Sequence, residues 1–461
     1  MKQIKILYIS EFFFPINQVA SIRATKFCKY LSQNPDISVS VVCRSYEDMA
    51  TDFLLEKDVS KISQIFRVSV NQYGVRLVSK LRLRVRAFFH LRDSQRIQKV
   101  GLESSKKQSY SIKNEIGRLF RVFSDELACS AYIRNAKRVL RKSSVPDIII
   151  SSYGPKSSPI LGGWYKKRHP EVYWISDFRD PVYRGFSTPH LLVKRSISYV
   201  QRVCKEADVL TSVSQGCMDA LHFPSHPHKA VIYNGFDRDD ISLIENTISP
   251  LKFTLSYMGT IYKDRQDLSP IFMILRELID EGILDVEKVC IRYAGPSKMA
   301  FASLSRRFGL DRCVEAFDTV PRATSLKYQL ESHLLLLASW NLKGEEGIIT
   351  GKLLEYMMIG RPIIGLVSGE LKDSAVKEML RLGNLGVCYE QANKEQDFSF
   401  VKHYVVEQYN QFIDGAQPKH KPNHDYVEQY NYQNLTKQLV SHFPKEIHQR
   451  ICKYGSVGIQ E

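Results

Sequence analysis

Gly351, Lys352 and Glu355 are the residues of this chain whose types and spacing best fit a chemical task. They lie in GIITGKLLEYMMIGRPIIGLV, residues 347–367. If Thr350 caps a helix here, Gly351 removes the side chain that would block close approach to its first turn. The N–H groups of that turn and the positive end of the helix dipole then attract phosphate. Lys352 adds a full charge. Glu355, one turn further on, accepts hydrogen bonds from the vicinal hydroxyls of a sugar, so the pair suits a nucleotide carrying both a diphosphate and a ribose. The same residues also fit an ordinary surface helix, with Lys and Glu solvated at i, i+3.

The elements that must position them are legible in the same stretch. Leu353, Leu354, Met357 and Met358 form a buried stripe, Gly360 and Pro362 mark the helix end, and Ile363, Ile364 and Val367 form a strand. Helix then strand is half of a Rossmann-type unit, which places the helix start at the ligand crevice on the carboxyl edge of the sheet.

TGKLLEYMMIGRPII resembles the carboxy-half donor motif of family 4 glycosyltransferases, retaining enzymes of the GT-B architecture. Glu355 matches the second glutamate of that family's paired-glutamate motif. The first would fall eight positions earlier, at Gly347, and this chain has Glu345 and Glu346 instead. Either the loop shifts so that Glu346 reaches the donor sugar, or this branch does without that carboxylate. The resemblance implies an α/β protein of two facing Rossmann-like domains with a C-terminal helix crossing back. Expected bounds are 1–240 for the acceptor-side domain, with a basic insertion at about 46–142. The nucleotide-sugar domain is expected at 250–415 and the crossing helix at 422–444.

At 461 residues, 44% hydrophobic and 25% charged, the chain is long enough for two or three globular domains. It opens on the strand KILYIS, and no apolar run approaches the roughly 20 residues that span a bilayer, so a cytoplasmic location is expected. Nine scattered cysteines without CxxC spacing read as free thiols. The net charge of +16 calls for an anionic partner. No nucleic-acid-binding motif is present. The excess is concentrated at 76–142, where VRLVSKLRLRVRAFF sets Leu77, Leu81, Val85 and Phe88 at helical spacing among arginines and lysines. Such a segment suits the anionic inner face of a plasma membrane, with peripheral attachment, or equally a solvated helix packed on its own domain.

Along the chain, the loop EFFFPINQVAS leaves the first strand, and Ser21 is the expected cap of a helix facing the sheet through Ile22, Phe27, Tyr30 and Leu31. The family often carries a glycine pair in this loop. Val19 and Ala20 stand there, with Arg23 able to supply a charge. PDIIISSYGPKSSP is a buried strand turned at Tyr153, Gly154 and Pro155, and VYWISDFRDPVYRG brings Asp177, Arg179 and Asp180 to one strand end. These charges fit either an internal Asp–Arg bridge or an acceptor pocket, with Asp180 or Asp177 on a hydroxyl and Arg179 on an anionic group. ISDFRDP resembles a segment of the family's bacterial polysaccharide branch. Asp237, Asp239 and Asp240 of FDRDD read as a linker, and no metal is expected.

In the second half, FTLSYMGTIYKDRQDLSPIFMILREL resembles the family's carboxy-half entry. Gly259 lets the loop approach the donor, and Lys263 or Arg265 neutralises the diphosphate. Arg265 is preferred because its planar fork grips two oxygens, although a surface pair with Asp264 or Asp267 is the alternative. VCIRYAGPS places Gly295 at the crevice. The resemblance sets the nucleobase beside Val320 and Pro321. KPNHDYVEQYNYQNLTKQLVSHF buries Leu435, Leu439 and Phe443 on one face, and a tail is expected from about Lys445.

The resemblance thus implies retaining transfer of a sugar from a UDP- or GDP-linked donor to a glycan or lipid-linked acceptor, in surface polysaccharide assembly, without a cofactor. Arg265, Lys352 and Glu346 are its expected catalytic residues. A nucleotide-sugar epimerase on the same fold and a non-catalytic basic adaptor are the rival readings.

Overall fold

The computed structural model describes residues 3–46, 49, 51–70, 112–180, 182, 190–221, 223, 226–244, 247–415 and 420–455. The basic segment at 75–89 lies outside the described residues. A helix spans Ile112–Leu140. Among the described residues, no helix is long and apolar enough to cross a membrane.

The chain divides into two units: residues 1–51, 58–232 and 440–461 form the first, and 52–57 with 233–439 form the second. The first is built on a parallel sheet of β1 (Ile4–Ser10), β2 (Ile37–Arg44), β3 (Gln64–Val68), β4 (Ile148–Tyr153), β5 (Tyr173–Phe178), β6 (Val209–Ser212) and β7 (Lys229–Val231), in the order β3-β2-β1-β4-β5-β6-β7. The second holds β8 (Phe253–Met258), β9 (Val289–Ala294), β10 (Val314–Phe317), β11 (Leu334–Trp340), β12 (Ile363–Ser368) and β13 (Gly386–Glu390), in the order β10-β9-β8-β11-β12-β13. The β-branched run of β4 and the leucine run of β11 are buried almost throughout. That is what a parallel strand covered on both faces requires. In both sheets the winding reverses beside the first strand, between β1 and β4 and between β8 and β11, so loops on either side of each reversal leave a gap at the carboxyl edge.

Several sequence expectations change. The first helix runs Val19–Ser32 and begins after Gln18, whose extended backbone occupies the cap position. Ser21 is therefore inside the helix and buried, and its hydroxyl has no hydrogen-bond partner among the described residues. Phe27 and Leu31 are buried, but so are Arg23 and Lys26, because each meets a carboxylate: Arg23 pairs with Asp177 at 2.8 Å and Lys26 with Asp58 at 2.7 Å. Polar residues hid this face from a periodicity reading.

Of the FDRDD aspartates read as a linker, Asp237 and Asp240 are buried and Asp239 is exposed. Asp240, in the short helix Asp239–Ser242, is 2% exposed and accepts from Arg322 at 2.7 Å within the second unit. The expected single helix at 422–444 is two, His424–Glu428 and Tyr432–Ser441. It breaks because the backbone between them bonds Phe236, with Phe236 N–H donating to Tyr430 O at 3.0 Å and Tyr432 N–H to Phe236 O at 2.8 Å. Gly235 permits this approach, since a Cβ there would stand 2.4 Å from Tyr430 O. The expected tail is a helix, Lys445–Gly455, and the chain from residue 440 belongs to the first unit, where Val440, Phe443 and Ile451 are buried.

Candidate functional site

In the second unit the loops after β8 and β11 emerge at the reversal point, and two glycines shape the first of them. Gly259 has φ +115°, and a Cβ on it would meet Lys352 Cε at 2.7 Å. Gly295, at the end of β9, would carry a Cβ 2.4 Å from Gly259 O. Only hydrogen fits at Gly295, and at Gly259 the positive φ disfavours any side chain. Tyr293 Oη donates to Gly259 O at 2.9 Å and accepts from Ser297 N–H at 2.8 Å. Gln266 fixes the far end of the loop by donating to Ala338 O at 2.7 Å.

The helix Gly351–Ile359 starts beside this loop and ends at Gly360, left-handed with φ +74°. Thr350 occupies the cap position with extended backbone, but its hydroxyl makes no capping bond and no other hydrogen bond among the described residues. Gly351 is exposed. Lys352 turns inward: Nζ donates to Tyr257 Oη at 2.9 Å and Thr260 O at 3.3 Å and lies 4.5 Å from the Tyr257 ring centre. Burial pulls its pKa down to about 8, against the opposing pull of Glu355.

Arg265 and Glu345 join the two loops. Arg265 donates to Glu345 Oε1 at 2.9 Å, and Trp340 Nε1 donates to Glu345 Oε2 at 2.9 Å. The pairing with Asp264 or Asp267 weighed for Arg265 is thus replaced by one with Glu345, which the sequence offered without a role. Glu346 is exposed and accepts from Gly344 N–H at 3.0 Å, which holds its carboxyl below the usual range. Lys263 is exposed on the β8 loop. Glu355 is partly buried, accepting from Gln329 Nε2 at 2.6 Å with Arg322 Nε at 3.7 Å. Arg322 and Gln329 come from the helix Arg322–Leu330, which follows Val320 and Pro321 directly. Neither partner was foreseen, because sequence spacing does not report which helices lie side by side.

In the first unit, Asp177 leaves the acceptor set. It is 2% exposed and fully engaged: Arg23 donates to both its oxygens, Thr211 to Oδ1 at 2.8 Å and Ser152 to Oδ2 at 3.1 Å. Burial alone would raise this carboxyl, but Arg23 and the two hydroxyls outweigh it and hold it below the usual range. The same pairing removes Arg23 from any phosphate role. An internal Asp–Arg bridge is therefore present twice, Asp177 with Arg23 and Asp180 with Arg179. Arg179 and Asp180 stay together at the end of β5, 3.0 Å apart, with Arg179 also donating to Gly154 O at 2.6 Å. Tyr153 stacks on Phe178 and donates to Val182 O at 3.2 Å. Glu11, unnoticed in the sequence, is buried at the end of β1 and accepts from Arg44 and Tyr46, each at 2.9 Å, and from Ser157.

No family model and no curated relative matches this chain. Solved structures do. TarM aligns over 96% of this chain and 99% of its own at 11% identity with a TM-score of 0.54. A UDP-N-acetylglucosamine 2-epimerase aligns over 100% and 99% at 12% identity and 0.52. The apo form of the lipopolysaccharide outer core galactosyltransferase WaaB aligns over 95% and 99% at 14% identity and 0.51. Two Rossmann-like parallel-sheet units and these neighbours make the fold GT-B.

Proposed function

We propose that this chain is a glycosyltransferase that moves a sugar from a nucleoside-diphosphate sugar to a hydroxyl of a glycan or lipid-linked acceptor. The observation that carries the reading is the close approach of Lys352 to Gly259 at the winding reversal of the second sheet, with Arg265 on the same loop. A diphosphate there would meet a loop without side chains, a helix N-terminus and two cations. Neighbours that include a galactosyltransferase on this fold support it.

In this reading the leaving diphosphate gathers negative charge as the anomeric bond breaks. Lys352, Arg265 and the helix dipole stabilise that charge in place, and their preorganisation lowers the barrier. Arg265 spends part of its five-donor fork on Glu345 and keeps the rest for phosphate oxygens. Glu355, oriented by Gln329, takes the ribose hydroxyls, and the segment at Val320 and Pro321 lies beside the base. Glu346, on the exposed loop, faces the donor sugar. On the other unit, Tyr153, Arg179 and Asp180 serve the acceptor. Retention of configuration, a UDP or GDP carrier, a surface-polysaccharide pathway and attachment to an anionic membrane face from the cytoplasmic side belong to the same proposal, as does independence from metal and other cofactors.

A screen of nucleotide sugars, with released nucleotide and product followed by mass spectrometry with and without membrane lipid extracts, tests it. Acceptor-dependent release of nucleoside diphosphate is expected, and absence of UDP and GDP binding by calorimetry would overturn the reading. The epimerase neighbour keeps one alternative in view. Turnover of the donor without any acceptor, yielding an isomerised sugar, would favour it.

A further inference from the structure

Lys352 is an unusual residue to find turned inward at the first turn of a helix. A lysine stem carries about 2 kcal/mol of rotamer entropy, and its ammonium is strongly hydrated, so the default for such a position is a side chain extended into water. Something must offset the burial, and β8 supplies it. Tyr257, fully buried, offers its phenol oxygen at 2.9 Å and its ring face at 4.5 Å to the same ammonium. The tyrosine is itself immobilised. It stacks on Tyr293 with ring centres 6.1 Å apart, and its hydroxyl donates to Thr260 O at 2.9 Å. Tyr293 holds the adjoining carbonyl, Gly259 O, so the two tyrosines set the loop backbone and the lysine together.

We propose that Tyr257 is the positioning residue of the diphosphate site, holding the Lys352 ammonium against the side-chain-free edge of Gly259. An ammonium has three N–H donors, and Tyr257 and Thr260 take two, leaving the third to a phosphate oxygen. This rests on the reading that the second unit binds a nucleoside diphosphate. Glu355, on the helix of Lys352, favours its charged form. From the strands packed beside it, Tyr257 and Tyr293 have their phenols pushed up by burial and stay neutral near pH 8.

The test is the affinity for UDP and GDP by calorimetry, in the full chain, between about pH 7 and 10, where a phosphate is already doubly ionised. The wild-type protein should bind more weakly as pH climbs past a break near 8, where Lys352 loses its proton. Tyr257→Phe keeps the ring and the stack but removes the oxygen. Affinity at pH 7 should fall about tenfold, the size of one hydrogen bond to a charged group, and the break should move to lower pH. Lys352→Arg should bind without a break, because a guanidinium stays charged throughout. A fluorinated tyrosine at position 257, a weaker acceptor of nearly the same shape, should move the break in the same direction and serves if the phenylalanine variant does not fold. Wild-type protein that binds neither nucleotide would sink the parent reading. Wild-type binding with an unmoved break and unchanged affinity in the Tyr257 variants would overturn this one alone.

Discussion

At the residue scale, Arg265 and Glu345 form one ion pair, and if the proposed donor site is right the consequences of breaking it are asymmetric. Arg265→Ala removes a phosphate donor, and transfer should fall about a hundredfold or more, as for loss of one preorganised donor at a developing charge. Glu345→Gln keeps the bond from Trp340 but weakens the hold on the guanidinium, so a smaller loss, expressed in the Michaelis constant for the donor, is expected from steady-state kinetics. Lys352 bears on stability as well. Its proton is held less tightly in the folded chain, with a pKa of about 8 against the usual 10.5, so between those values the unfolded chain binds more protons and stability rises with pH. Lys352→Met should therefore raise the melting temperature of the ligand-free protein at neutral pH. The gain should shrink as pH climbs from about 8 to 10.5. A pH-independent difference in calorimetric scans would contradict this.

At the scale of elements, the first helix and β5 are joined by a charge pair where an apolar contact would be ordinary. Arg23 and Asp177 are 1% and 3% exposed at their side chains. Removing one partner leaves the other buried and uncompensated, so Asp177→Ala should cost about 3–5 kcal/mol in denaturant unfolding. Replacing both by apolar residues should be much milder. Far less than that cost would mean that solvent reaches the cluster. The helix Gly351–Ile359 and its strand were readable because a cap-type residue, an apolar stripe, a terminal glycine and a β-branched run are all local signals that agree, even though the Thr350 hydroxyl makes no cap bond. The first helix was misread at its start because Ser21 is a good cap by type. Gln18 took the position because the chain from Phe14 to Gln18 is already engaged, with Phe14 N–H on Thr25 Oγ1 at 3.3 Å and Gln18 N–H on Ile16 O at 3.0 Å.

For the molecule as a whole, the C-terminal segment is a structural part of the first unit. Val440, Phe443 and Ile451 are buried there, and Tyr173 donates to His442 O at 3.0 Å. A chain ending at residue 439 should unfold at a clearly lower temperature, since each fully buried apolar side chain contributes about 1.5–3 kcal/mol. An unchanged transition in thermal scans would show the segment to be dispensable.

Local signals in the chain set the alternation of strands and helices and the glycine-lysine start of one helix, because apolar period and turn chemistry act between residues close along the chain. The two-domain α/β plan was implied by the resemblance to GT-B enzymes. The sequence left undetermined which cations stay partly exposed and which are sealed inside. Arg23 and Arg265 look alike in sequence, yet one is buried on Asp177 and the other is a third exposed beside Glu345. Only the tertiary structure decides that, because the sign of a buried charge's contribution depends on a partner that can stand far away in the chain, 154 residues for Arg23 and 80 for Arg265.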